Sequence, residues 1–212
     1  MLTLYDYWRS SASYRVRIAL EVKGIEYQKV EVNIAPGSDQ QLAQEYVNVN
    51  PNKLVPCLED GELRLHQSLA IIEYLDEACS PNSLRLIPQD QAVRYQAKSL
   101  AYDICCDVHP LNNLRVLKQL TRQFGAEEEQ KQQWYTKWLT EGFAPLEKRL
   151  SGYEGKYSLG DDVTLVDCCL IPQLYNAHRF NLDMTNFPRI SDIERNCLSL
   201  ASFQRAVPTQ PI

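Results

Sequence analysis

Trp8-Arg9-Ser10-Ser11-Ala12-Ser13-Tyr14-Arg15-Val16-Arg17-Ile18-Ala19-Leu20 runs on from a short apolar alternation, Leu2-Thr3-Leu4-Tyr5. The alternation reads as a strand. The stretch after it reads as a turn opening a helix over residues 13–23, with Val16, Ala19 and Leu20 on one face and Gly24 as its stop. A strand that feeds a serine cluster and then a helix builds an anion site from local geometry. The first N–H groups of the helix lack internal partners, and the macrodipole leaves that end partly positive. Ser10, Ser11 and Ser13 add hydroxyls, while Arg9, Arg15 and Arg17 add fixed charge. A thiolate, a carboxylate or a phosphate suits such a place. Taken alone, the serines read as a helix cap. The segments downstream shift that reading.

Tyr27-Gln28-Lys29-Val30-Glu31-Val32 alternates as a second strand, which makes a β-α-β unit with parallel strands. Residues 40–46 read as a short helix. Val55-Pro56-Cys57-Leu58-Glu59 and Glu62-Leu63-Arg64-Leu65 flank Asp60-Gly61, a strong hairpin signal, and residues 68–75 read as a helix. The sum is a small α/β domain over residues 1–80. Ser80-Pro81-Asn82-Ser83 and Pro88 form a polar, proline-bearing connection. Beyond it strand signals fade. Residues 91–108, 112–124, 127–150, 165–180 and 190–200 read as helices of an all-α domain over residues 88–212, with a loosely ordered tail from Pro208. Thr164-Leu165-Val166-Asp167 reads as a structural capping box, and Glu127-Glu128-Glu129 as a favourably charged helix start. Trp134, Tyr135 and Trp138 stand at helical spacing and read as core.

The net charge of −5 leaves no basic excess to neutralise phosphates, so nucleic acid is excluded as the main partner. No apolar run reaches membrane-spanning length, and the first residues do not read as a signal sequence, so a cytoplasmic protein is expected. Seven cysteines include no CxxC, and His66, His109 and His178 offer no zinc-like spacing. The cysteines therefore read as small buried hydrophobes in a reducing compartment, with no metal.

Two further landmarks follow in order: Asn50-Pro51-Asn52-Lys53-Leu54-Val55-Pro56 before the hairpin, and Gln67-Ser68-Leu69-Ala70-Ile71 at a helix start. With residues 9–20, which resemble the signature SSCSxRVRIAL, they are similar to the landmarks of the zeta-class glutathione transferases. That class includes maleylacetoacetate isomerases, and bacterial maleylpyruvate isomerases are close to it. The resemblance covers essentially the whole chain. It implies a thioredoxin-like N-terminal domain followed by an all-helical domain, the cytosolic glutathione transferase fold, and a homodimer.

The resemblance also implies roles. The Val55–Pro56 peptide is cis in the family, and the backbone of Val55 pairs with the cysteinyl unit of glutathione as an added strand. Gln67 and Ser68 hold the γ-glutamyl carboxylate, and Gln41 and Lys53 approach the glycyl carboxylate. Ser10, assisted by Ser11, activates the thiol. A free thiol has a pKa of about 8.5, which a hydroxyl hydrogen bond and a helix N-terminus bring down. Ala12 stands where the class has cysteine, which weighs against chemistry that needs an enzyme thiol, such as reductive dehalogenation.

Asp107-Val108-His109-Pro110-Leu111-Asn112-Asn113-Leu114-Arg115 and Ala177-His178-Arg179-Phe180 resemble further segments of the bacterial isomerases. They imply His109 and Asn113 as glutathione contacts. Arg9, Arg115 and Arg179 would take a substrate carboxylate in a bidentate fork, ordinary ion pairing such as Arg179 with Asp183 being the alternative. The implied activity is glutathione-dependent cis–trans isomerisation of maleylacetoacetate to fumarylacetoacetate in tyrosine and phenylalanine breakdown. The alternatives are maleylpyruvate isomerisation in gentisate breakdown, a broader transferase or α-haloacid dechlorinase, and a non-catalytic interaction module.

Overall fold

The alternation at the N-terminus and the polar break after it are enough to start a sheet. The computed structural model describes residues 1–79 and 84–210, so the connection Ser80-Pro81-Asn82-Ser83 and the last two residues of the tail lie outside the described residues. The chain divides into two compact units, Met1–Leu86 with Leu200–Ile212, and Ile87–Ser199.

In the first unit, β1 (Leu2–Asp6), α1 (Ser11–Lys23) and β2 (Tyr27–Glu31) form the expected parallel β-α-β, in register from Leu2 opposite Tyr27 to Asp6 opposite Glu31. Gly24 ends α1 in the left-handed conformation, with φ 65°. The hairpin of β3 (Cys57–Asp60) and β4 (Leu63–His66) completes a four-stranded sheet of order β2-β1-β3-β4, with β3 antiparallel to β1. Helix α3 (Ser68–Tyr74) continues as a π-helical turn, Leu75–Cys79, and packs with α1. Leu4, Val16, Leu20, Leu58, Ile71, Ile72 and Leu75 are almost completely buried. A second apolar cluster joins Tyr7, Val32, Tyr46 and Val55.

Three expectations are corrected here. The helix expected at 40–46 is broken at Ala43, whose extended backbone separates a 3₁₀ turn, Gln40–Leu42, from α2 (Gln44–Val49). The segment after Ser199 was assigned to the helical domain, but it groups with the first unit. There α9 (Ala201–Ala206) packs on α1, and Arg17 Nε donates to the Ala206 carbonyl at 3.1 Å. Six residues are too few for a periodic signal, so this helix was not foreseen. The cysteines, third, are not uniformly buried. Cys57, Cys168, Cys169 and Cys197 are, whereas Cys106 is exposed. Burial, with Glu59 nearby, pushes the Cys57 thiol up to about 11, as expected of an inert packing group.

In the second unit the helices are α4 (Gln91–Tyr102), α5 (Leu114–Phe124), α6 (Glu128–Leu150), α7 (Leu165–Arg179) and α8 (Pro188–Leu198). The expected helix 91–108 is α-helical only to Tyr102 and then widens into a π-helical turn, Asp103–Val108, that delivers His109. Interruptions of this kind recur at functional sites. Gly142 on α6 lies against it so closely that a Cβ there would collide with Val108 Cγ2. Asp167 is fully buried and caps α7 as the sequence implied. Its two oxygens accept from the N–H and hydroxyl of Ser158 (2.9 and 2.7 Å) and of Thr164 (2.7 and 3.1 Å). Tyr135 is buried, but Trp134 and Trp138 are half-buried rather than core, packed edge-to-face on each other. Among the described residues no helix is long and apolar enough to cross a membrane.

Gly142→Ala is expected to destabilise the chain by about 1–3 kcal/mol through overpacking on Val108, read as a lower midpoint in urea unfolding.

Candidate active site

Ser10 is the N-cap of α1, with φ −72° and ψ 120°, and its Oγ accepts from the Ser13 N–H at 3.3 Å. Its own N–H donates to the Tyr7 carbonyl at 2.9 Å. A hydroxyl carries one donor and two acceptor sites, so capping leaves its proton free to donate. Helix cap and thiol activator are therefore not rival readings of this serine; one hydroxyl has capacity for both. Ser11 is buried in the first turn and Arg9 lies with its guanidinium over Trp8, 5.5 Å from the ring centroid. Arg17, counted in the sequence among the charges of an anion site, is instead committed to Asp6 at 2.7 Å.

The Asn50–Val55 loop is built from within. Asn50 is buried and donates from Nδ2 to the Leu54 carbonyl at 2.7 Å, which also accepts from Tyr46 Oη at 2.6 Å. Asn50 Oδ1 accepts from the Asn52 N–H at 3.0 Å, and Lys53 takes a left-handed backbone, φ 57°, with an exposed side chain. The Val55–Pro56 peptide is cis. Among the described residues neither the N–H nor the C=O of Val55 makes a backbone hydrogen bond, although the side chain is buried. A main-chain donor and acceptor at the entry to β3 are thus available to an extended ligand.

Gln67 precedes α3 with φ 72° and ψ 115°, a conformation that costs a non-glycine residue about 1–3 kcal/mol and is commonly retained at ligand clamps. Ser68 follows, buried, and its Oγ accepts from Arg15 Nη1 at 3.2 Å. The structure therefore joins α1 to the start of α3 through a residue that the sequence had counted only as charge. Gln41 sits in the 3₁₀ turn and donates from Nε2 to Asp39 at 3.3 Å, while its Oε1 is buried without a partner among the described residues.

In the second unit, His109 Nδ1 lies 3.1 Å from Gln173 Nε2. The imidazole tautomer sets which of the two donates in this pair. Gln173 is completely buried on α7 and was missed from the sequence, where a polar residue within Leu170-Ile171-Pro172-Gln173-Leu174 was the available signal. Asn113 is the N-cap of α5, its Oδ1 accepting from the Arg115 N–H at 3.0 Å, and the Arg115 side chain is exposed. This segment is held to α6 by Trp134 Nε1 on the Leu111 carbonyl at 2.8 Å and by Asn112 on the Tyr135 carbonyl at 3.3 Å. Arg179, at the end of α7, donates to Asn176 Oδ1 at 3.3 Å and lies over Phe180. Phe180 stacks on Tyr135 with ring centroids 3.8 Å apart.

Residues 1–77 match the glutathione S-transferase N-terminal domain. A probable maleylacetoacetate isomerase of Vibrio cholerae is 48% identical over 207 residues, spanning 98% of this chain and 95% of the relative. The holo structure of a maleyl pyruvate isomerase, a bacterial glutathione S-transferase of the zeta class, matches with a TM-score of 0.93 at 40% identity, over 97% of this chain and 96% of that one. A maleylacetoacetate isomerase from Methylobacterium extorquens AM1, solved with bound malonate and glutathione, matches with a TM-score of 0.93 at 35% identity, over 99% and 98% of the two chains. The chain belongs to the zeta class of the glutathione transferases, with these isomerases.

Gln67→Gly removes the side chain from a strained backbone and is expected to raise stability by about 1 kcal/mol. Gln67→Ala keeps the strain and gains nothing. Urea unfolding of the pair checks this.

Proposed function

We propose that this chain is a glutathione-dependent cis–trans isomerase of maleyl keto acids, with maleylacetoacetate converted to fumarylacetoacetate. The carrying observation is Ser10, whose hydroxyl is fixed by the Ser13 N–H at the start of α1 and keeps its proton to donate. The relatives at 48% and 35% identity that bear the name maleylacetoacetate isomerase support the choice of reaction.

The residues fit glutathione. Val55 offers an unpaired main-chain donor and acceptor for the cysteinyl unit, and Gln67 with Ser68 suits the γ-glutamyl carboxylate. Lys53 and Gln41 would approach the glycyl carboxylate, with the buried, unpartnered Oε1 of Gln41 able to take an N–H. His109 and Asn113 are further contacts in this reading. When bound, glutathione supplies a thiolate that adds reversibly to the cis double bond, so that the bond can rotate as a single bond before elimination. Ser10, with Ser11, holds the thiolate at a positive helix end. Arg9, Arg115 and Arg179 take the substrate's carboxylate and stabilise negative charge that spreads over the keto acid during addition. A relative solved with both malonate, a dicarboxylate, and glutathione bound is in keeping with an acidic substrate.

The helix-rich domain as substrate-binding part, a homodimer, a cytoplasmic location and a place in tyrosine and phenylalanine breakdown complete the proposal. Maleylpyruvate is the second substrate to test, because a maleyl pyruvate isomerase at 40% identity matches over nearly the whole chain. Ala12 in place of the class cysteine speaks against a dechlorinase that works through an enzyme thiol.

The test is isomerisation of maleylacetone, standing in for maleylacetoacetate, and of maleylpyruvate, each with and without glutathione. Strict glutathione dependence is expected, with kcat for Ser10→Ala down by about a hundredfold. Loss of the cap costs that variant only about 1 kcal/mol of stability, so it remains folded for the assay. No turnover of either substrate by wild-type protein that binds glutathione would sink the isomerase reading.

A further inference from the structure

Helix α1 buries three cations, and two of them have carboxylates. Arg17 pairs with Asp6 at 2.7 Å and Lys23 with Asp76 at 2.9 Å. Arg15, only 3% exposed, has neither. Its one hydrogen bond among the described residues runs from Nη1 to Ser68 Oγ at 3.2 Å, and its Nε and Nη2 are buried without partners. A guanidinium stays charged at any ordinary pH, and a buried charge without a counter-ion is costly unless something compensates it. The neighbouring folds of the same helix show what compensation looks like here: a carboxylate. For Arg15 none is supplied by the described residues.

The one bond it makes has a direction. Guanidinium nitrogens cannot accept, so Ser68 Oγ accepts, and the serine proton is turned outward to donate. Arg15 thus fixes both the position and the polarity of the hydroxyl that follows the strained Gln67. We infer that Arg15 is a positioning residue for the γ-glutamyl carboxylate of glutathione, holding the Ser68 hydroxyl as a donor and supplying the buried positive charge that this carboxylate completes. This rests on the glutathione reading above, in which Ser68 meets that carboxylate. Being almost sealed, Arg15 acts through Ser68 rather than on the thiol, so its effect belongs to binding and not to the chemical step.

The experiment compares glutathione with γ-aminobutyryl-cysteinylglycine, which lacks only the γ-glutamyl α-carboxylate, on the full chain carrying Arg15→Met, Arg15→Gln, Arg15→Lys or Ser68→Ala. Wild type is expected to prefer glutathione by about a hundredfold in Kd, as for a buried charge pair. In Arg15→Met and Arg15→Gln that preference collapses to within a few-fold. KM for glutathione rises by about tenfold or more while kcat at saturation changes little. Arg15→Lys, which keeps the charge but loses the fork, recovers part of the preference, and Ser68→Ala combined with Arg15→Gln adds little to either alone. Arg15→Gln carries the test should Arg15→Met fail to fold. Variants that keep the wild-type preference, or that lose kcat with KM unchanged, overturn the role of Arg15 while leaving glutathione binding intact. A wild-type chain that binds neither thiol overturns the glutathione reading and this inference with it.

Discussion

Burying Asp6 constrains everything around the start of α1. Its side chain is fully sealed, and a sealed carboxylate must find a cation and further donors or cost several kcal/mol. Arg17 answers it at 2.7 Å and then spends its remaining donors on backbone, Nη2 on the Trp8 carbonyl at 2.9 Å and Nε on the Ala206 carbonyl at 3.1 Å. One side chain therefore joins the end of β1, the loop that carries Trp8 to Ser10, and the last helix of the chain. The loop is thus tied at the Trp8 carbonyl and again at the Tyr7 carbonyl, which accepts from the Ser10 N–H. Ser10 can then be both a cap and an outward donor, because the backbone around it is fixed by groups that take no part in the chemistry.

Two kinds of polar group follow from this frame. One kind is satisfied internally and shapes the fold: Asn50 holding the Leu54 carbonyl, Asp167 collecting four donors at the head of α7, Lys23 on Asp76. The other kind is buried yet left with capacity: the Val55 backbone, Gln41 Oε1 and Arg15 Nε and Nη2. Native interiors pair most of their polar groups, so these three, all in the first unit, are candidates to meet a ligand's own polar groups. In the function proposed above, the two carboxylates and the peptide backbone of glutathione are the groups they would meet.

Much of the first unit was legible because its signals are local. The alternation at residues 2–5, the Asp60-Gly61 hairpin and the Gly24 stop each act within a few residues and reappear as β1, the β3–β4 hairpin and the left-handed end of α1. The capping box at Thr164 and Asp167 was legible for the same reason, although its two extra bonds from Ser158 were not. The candidate site was half legible. Its serines, Val55, Gln67 and His109 stand in motifs, but Gln173 as the partner of His109 and Arg15 as the partner of Ser68 join residues 64 and 53 positions apart. No local pattern announces such a pair.

By itself, then, the sequence determined the order of the strands and of the longer helices, the change from an α/β to an all-helical part, and the family that the motifs resemble. The first two are consequences of periodicity, turn chemistry and spacing, which act along the chain, and the family came from the resemblance of the motifs. The tertiary structure decided that α9 returns to α1, that the helix after Tyr102 widens toward His109, and which of three buried cations on α1 goes without a carboxylate. The cost of burying a charge depends on what is folded against it, and that is fixed only when distant segments meet.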